Sequence, residues 1–530
     1  MTAESKSSVS RRAFIAGAAV VAVGAAIGAR SQFHNRDSAP SAAAAAGAPR
    51  NGGRLRVGLS AGSAKDSLDA KAALTDADIA RQNQLYDTLL HFDPAFKIQP
   101  ALAESVEASE RASVWTIRLR KGVTFHNGKP LTAQDIAYTL AYALDPARPG
   151  ASAARLRALD MKSTQVLDDL TLRVRFQSPF SMFREVLADA GTAALRVVPQ
   201  GYDPAQPVGT GPFVFERFEP GVRSVFKRNP HYWRPDEPHV DALELLNFTD
   251  DAARVNALLS NQIDALANLP ANQMAIVKAN PQLRLIVSET GAWNPFTMRV
   301  DVAPFDDVRV RKALRLLVDR EQLVQQVLAG QGYVANDIFA RYDHGYATDL
   351  AQREVDIDQA KSLLRQAGRE HLSAEIVTSP VSIGLVPAAE ALVQQASRAD
   401  VQLSLRQIEP STFFSRFFMK APLSQSYWGT RNYLLQAADS MMPTSPYNET
   451  HWHDDAWLKL VQAGFAEQDE AKRAELIRAA QHIEYDEGGY INWGWYNKID
   501  VVRSNIEGFV PDRSGFSLTS FAFRRAWFSA

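Results

Sequence analysis

Residues 115–135, WTIRLRKGVTFHNGKPLTAQD, set out a strand, a tight turn and a helix start in close succession. Residues 115–120 alternate apolar and polar side chains, the period of a strand with one buried face. His126-Asn127-Gly128-Lys129 is a hairpin-type turn, in which Asn-Gly supplies the positive φ angles. Thr132 then caps a helix running to about Leu144, with Asp135 three residues on in a capping-box position. The stretch predicts a mixed α/β chain.

The flanks carry the same mixture. Strands are expected over 54–59, 170–176 and 223–227, and a helix over 79–90. Residues 101–104 lead into a turn, and Val208-Gly209-Thr210-Gly211-Pro212-Phe213 turns into a strand. Asp251 caps a helix through Leu259, and Asn261-Gln262 turns it into the short strand 263–266. Pro304-Phe305-Asp306-Asp307 opens a helix over 310–317, and Asp319 with Gln322 makes a second capping box, closed by Gly330. Residues 469–484 are amphipathic, with Leu476, Ile477, Ala480 and Ile483 on one face. Residues 491–496 and 500–503 read as strands. There is no internal repeat at short period.

The chain has 530 residues, 46% hydrophobic and 22% charged, with a formal net charge of -1. That is an ordinary globular composition with room for two to four domains. It holds no basic excess of the kind that binds nucleic acid. The absence of cysteine excludes disulfides, thiolate metal sites, a Cys nucleophile and a lipidated N-terminal Cys. No Walker A sequence is present, so an ATPase role falls to another chain.

Ser10-Arg11-Arg12-Ala13-Phe14-Ile15 is a twin-arginine pattern, followed by an uncharged Ala/Val/Gly/Ile run to Ala29. A charged region followed by an apolar one is what an export signal needs. The run is weak for a membrane span, which wants about 20 strongly apolar residues. Export by the twin-arginine translocase to the periplasm is expected, with Arg11, Arg12 and Phe14 as its marks; an uncleaved N-terminal anchor is the alternative. Residues 31–50 read as a spacer, and cleavage falls near Gly28-Ala29 or within 42–48.

Beyond 115–135, four segments strengthen one resemblance. They are Pro207–Phe213 with Arg228-Asn229-Pro230-His231-Tyr232-Trp233; 249–266, TDDAARVNALLSNQIDAL; 304–320, PFDDVRVRKALRLLVDR; and 469–490 with Ile506-Glu507-Gly508-Phe509. Together they resemble the bacterial extracellular solute-binding proteins of family 5, the dipeptide- and oligopeptide-binding type. The resemblance implies an α/β, two-lobed periplasmic-binding-protein-like fold (type II) with a hinge and an extra inserted domain. The first lobe would comprise 51–85, 209–295 and 500–530, the inserted domain 86–208 and the second lobe 296–499, behind a signal and spacer over 1–50. It implies a monomer that captures a small ligand and hands it to ABC permease subunits, without cofactor or catalysis.

In peptide binders of this family an Asp near a Trp of the second lobe pairs with the peptide α-ammonium. The matching stretch here is Tyr427-Trp428-Gly429-Thr430-Arg431-Asn432, and Arg431 stands where the Asp is expected. A guanidinium binds carboxylate or phosphate, so Arg431 either meets an anionic ligand or lies in a solvated loop. Of the late aromatics, Trp428 and Trp495 are candidate cleft residues because they sit on loops or strand ends; for the others core packing is expected. Trp293-Asn294 and the loop ending in Asp69 complete the candidate ligand set. The expected ligand is a short peptide or an amino-acid-derived anion, with a sugar, opine or metal chelate as alternative. His451-Trp452-His453 lacks a third ligand, so no metal site is assigned. Gly58-Leu59-Ser60-Ala61-Gly62 matches a nucleophile-elbow pattern, but a polar loop follows where that elbow needs a helix.

Overall fold

The 115–135 stretch folds as a strand, a clasped turn and a helix. Val114–Leu119 is a strand, Thr132 and Asp135 close a capping box, and the helix runs Ala133–Ala143. Gly128 takes the positive φ of the turn (+80°). Asn127 does not; its Oδ1 instead accepts the Lys129 N–H at 3.1 Å. The turn is tied to the Val208–Phe213 motif, since the His126 N–H donates to Gly209 O (2.8 Å) and His126 Nε2 lies 3.0 Å from Gly211 O. There the chain crosses the end of the first helix so closely that a Cβ on Gly209 would sit 2.0 Å from Leu85 O. Only glycine fits such a crossing.

The computed structural model describes residues 47–530 apart from Ala61, Thr444, Pro446 and Ala530. The twin-arginine segment with Arg11, Arg12 and Phe14 lies outside the described residues. No helix among the described residues is long and apolar enough to cross a membrane.

Three sheets carry the fold. The largest has seven strands, in the order Leu283–Ser288, Lys498–Arg503, Ala265–Leu266, Arg54–Ser60, Ala242–Phe248, Arg223–Arg228 and Phe213–Glu219. Arg54–Ser60 runs parallel to both its neighbours, with Leu55, Val57, Gly58 and Leu59 buried, as in a strand covered on both faces. A five-stranded sheet orders Gln402–Gln407, Ser373–Thr378, Leu423–Gln425, Phe296–Met298 and Tyr490–Ile491. A four-stranded antiparallel sheet orders Ala103–Ser109, Val114–Leu119, Thr171–Arg175 and Gln165–Asp168. The chain passes from the seven-stranded to the five-stranded sheet between Ser288 and Phe296, and back between Ile491 and Lys498. The two passages meet where Trp293 bridges Trp495.

Several expectations shift. The helix placed over 79–90 is Asp76–Leu85, because Thr75 and Asp78 cap it early and Tyr86 turns extended (φ -129°). Residues 101–104, expected to lead into a turn, open the strand Ala103–Ser109, whose Ala103 and Val106 face the core and which the turn at 110–113 follows. Asp250, one residue before the expected Asp251, caps Asp251–Leu259. The Asp319 box is half formed: Asp319 accepts from the Gln322 N–H, but Gln322 Oε1 is held by Gln395 Nε2 at 2.7 Å. The strand expected over 491–496 splits into Tyr490–Ile491 and Gly494–Tyr496, which pair in different sheets.

Candidate functional site

Connections from all three sheets line a cavity of about 580 Å³. Four segments build most of its wall: the start of helix Asp76–Leu85, residues 185–192, residues 427–435 and the C-terminal stretch 512–525.

Residues 427–432 follow strand Leu423–Gln425. Tyr427 is on the cavity wall and 44% exposed; Trp428 is 7% exposed, with its Nε1 3.4 Å from Glu449 Oε2. Thr430 ties the segment down, donating to Arg513 O (2.7 Å) and accepting from the Gly291 N–H (2.9 Å). Arg431 lies over the Trp428 ring, 5.0 Å from its centroid, a cation–π contact. Its Nη1 pairs with Asp439, which also accepts from Arg155 (3.1 Å), and Arg155 pairs in turn with Asp189. Burial alone would raise the Asp189 carboxyl; Arg155, the Gly191 N–H and Arg431 together outweigh it and hold it below the ordinary range. The four charges alternate and balance.

Glu185, also on the wall, is different. Its Oε2 is buried without a hydrogen-bond partner, and burial pushes its carboxyl up to about 7. Asp76 and Lys498 face each other on the wall at 3.6 Å.

The C-terminal wall is built on an unusual turn. Leu518, Thr519, Ser520 and Phe521 all take left-handed φ angles of 50–57°. Such a run costs about 1–2 kcal/mol per residue without glycine. It is held at every step. The buried Asp500 accepts the Leu518 N–H (2.6 Å), Thr519 Oγ1 donates to Val510 O (2.7 Å), and Ser520 Oγ reaches Asp512 (3.2 Å). The turn delivers Arg524 and Arg525 to the cavity.

Of the residues singled out in the sequence, Arg431 and Asn432 are on this wall. Trp428, Trp293, Trp495, Asn294 and Asp69 are not among the residues that line it. Trp293 (1% exposed) packs with Tyr490 at 5.3 Å and Trp495 (2% exposed) at 6.5 Å between centroids. The chain neighbours of Trp428 and Trp495, Tyr427 and Tyr496, line the wall. Asn294 Nδ2 donates to Ile383 O (2.6 Å) and so anchors a wall loop from behind. Asp69 accepts from the Tyr142 hydroxyl at 2.7 Å. Arg155, Glu185, Asp189, Arg234, Arg524 and Arg525 are wall residues that sequence reasoning missed. The adjacent pair Arg524-Arg525 was the one visible signal, and nothing in its pattern pointed inward.

His451 and His453 turn to different carboxylates, Asp301 (3.3 Å) and Asp455 (3.0 Å). Among the described residues no group of three or more His, Asp and Glu could hold a metal ion. Ser60 ends its strand, and the next helix begins at Asp76, so the elbow's immediate helix is not formed.

The chain matches the model of the bacterial extracellular solute-binding proteins, family 5 middle region, over residues 97–449. It is 26% identical to di/tripeptide-binding protein 1 of Pseudomonas aeruginosa, over 77% of this chain and 82% of that one. It is 24% identical to the glutathione-binding protein of Escherichia coli, over 85% and 91%. Among solved structures, the ABC transporter substrate-binding protein CtaP of Listeria monocytogenes superposes with a TM-score of 0.81 at 19% identity, over 91% of this chain and all of that one. The matched span takes in the four-stranded sheet, the cavity-lining segments 185–192 and 427–435, and the Val208–Phe213 turn, and the chain belongs to the bacterial extracellular solute-binding proteins of family 5.

Proposed function

We propose that this chain is the substrate-binding component of a peptide-type ABC importer, taking a small ligand in the 580 Å³ cavity and presenting it to a membrane permease. The observation that carries the reading is the wall itself. It draws on all three sheets and sets charges of both signs around a volume suited to a small molecule. A short peptide or an amino-acid-derived anion matches a wall that offers Arg431 and Asn432 on one segment and the unpartnered Glu185 carboxyl on another. A sugar- or opine-type anion is the second reading, favoured by five arginines on the wall: 155, 234, 431, 524 and 525.

The chain acts in this reading as a periplasmic monomer. Arg11, Arg12 and Phe14 support passage through the twin-arginine translocase. Sheet membership supports lobes of 51–85, 209–295 and 500–530 against 296–499, with 86–208 inserted, and the two passages beside Trp293 serve as hinge.

Native mass spectrometry of protein purified from its own periplasm, with release of bound molecules, tests the proposal. A ladder of short-peptide masses supports the peptide reading, and one anionic non-peptide mass supports the second. Protein that carries no adduct, and whose melting temperature no peptide or acidic metabolite raises, argues against both.

A further inference from the structure

One part of the wall holds cations that the rest of the protein leaves unanswered. Arg234 stacks on the Trp233 ring with its guanidinium 4.3 Å from the centroid. Trp233 is itself fixed, because its Nε1 donates to Asp87 at 2.9 Å. Asp87 is not free to pair with Arg234: Tyr232 and Thr210 donate to it as well, each at 3.0 Å. Arg234 Nε is buried without a hydrogen-bond partner. Arg525 is delivered beside it by the left-handed turn. Among the described residues neither Arg234 nor Arg525 has a carboxylate within ion-pair distance, whereas Arg524 Nε lies 2.8 Å from Glu237 Oε2. His91, on the same wall, has a buried Nδ1 without a partner. Burial, with Arg234, Arg524 and Arg525 adding to it and Asp93 opposing, pushes this imidazole down to about 3, so it is neutral. Arg431, by contrast, already has Asp439.

We propose that Arg234 and Arg525, with the neutral His91 beside them, form the receptor for an anionic group of the ligand, a carboxylate or a phosphate. The stack on Trp233 fixes the Arg234 fork in advance, so little side-chain freedom is lost when an anion docks. The inference rests on the reading that this cavity is where ligand binds.

Titration calorimetry at low ionic strength with inorganic phosphate and, separately, with acetate tests it on the wild type, on Arg234→Gln/Arg525→Gln and on Arg525→Lys. The wild type is expected to bind at least one of the anions. The double glutamine variant should lose about tenfold or more in affinity, the worth of a charge-assisted hydrogen bond. Arg525→Lys, which keeps the charge and the fold, should retain part of it. Phosphate binding tighter than acetate assigns a phosphate-bearing ligand, and acetate alone a carboxylate. If neither anion binds, or the folded glutamine variant binds as well as the wild type, the receptor is overturned. Should the co-purified ligand still be present in that case, the binding-protein reading stands and only this subsite fails; absence of both an adduct and anion binding would remove both.

Discussion

Three buried carboxyls, Glu185, Glu449 and Glu484, have no ion-pair partner among the described residues. Burial pushes Glu484 up to about 8 and Glu449 up to about 7, and Glu185 is similar. Glu484 Oε2 accepts from the Tyr433 hydroxyl at 2.9 Å, while its Oε1 is buried without a partner. The folded chain therefore holds this proton more tightly than the unfolded chain, whose carboxyl has the ordinary value of 4.5. The resulting stability is full below about pH 4.5 and is lost as the pH rises through about 8. The melting temperature should fall between pH 6 and pH 9. Glu484→Gln keeps an acceptor for Tyr433 and cannot ionise, so its fall should be shallower. With about 1.4 kcal/mol per pH unit of separation, the variant should gain a few kcal/mol on the parent at pH 9. Parallel profiles for the two proteins would show that Glu484 does not titrate in that window. None of this was legible in the sequence, where 484 is one more acidic position on an amphipathic helix. Arg431 was found because a local motif surrounds it. Glu185, Arg234 and Arg525 were not, because what makes them notable is the lack of a partner in three dimensions.

At the scale of elements, local chemistry was readable and partner changes were not. Thr132 with Asp135, Asp307 and Asp469 each start the helix that their side chains cap. The segment 491–496 reads as one alternating strand, but its two halves serve different sheets, and alternation is blind to the partner. The left-handed turn at Leu518–Phe521 left no trace, since no glycine marks it. Its support is tertiary and centred on Asp500, whose two oxygens accept the N–H groups of Asn268 (2.8 Å) and Leu518 (2.6 Å). Asp500→Ala leaves both donors unpaired, the Leu518 one buried and the Asn268 one half-buried, at about 1–3 kcal/mol each. Urea denaturation should show a loss of about 4 kcal/mol. Because Arg524 and Arg525 follow the turn, ligand affinity should also fall under conditions where the variant is fully folded. A loss below about 1 kcal/mol would mean that the turn is held by its side chains rather than by Asp500.

For the whole molecule, the arrangement of passages and wall contacts makes closure an energetic question. Among the described residues only two stretches, 288–296 and 491–498, carry the chain between the seven-stranded and five-stranded sheets, and they lie side by side at Trp293 and Trp495. The cavity wall is bridged across these sheets' segments by few direct contacts. Thr430 Oγ1 to Arg513 O is one and the Arg513 guanidinium over the Tyr342 ring, 4.7 Å from its centroid, is another. So few bonds hold the wall together that the ligand-free protein should populate an open form, with ligand selecting the closed one. Small-angle scattering should then show a smaller radius of gyration once the co-purified ligand is added back. Saturation to 100 times the dissociation constant should raise stability by about 2.7 kcal/mol. Thr430→Val keeps the side-chain shape but removes the hydroxyl that joins Arg513 O and the Gly291 N–H. If that bond is worth about 1 kcal/mol to the closed form, the apparent affinity falls about fivefold, because the competent fraction divides the intrinsic constant. The radius of gyration separates this from a lost ligand contact: weakened closure leaves the variant more expanded at a given ligand occupancy, whereas a lost contact leaves the bound dimensions unchanged. Equal radii for the wild type with and without ligand would mean that the cavity fills without domain motion, and the two passages beside Trp293 would then be connections rather than a hinge.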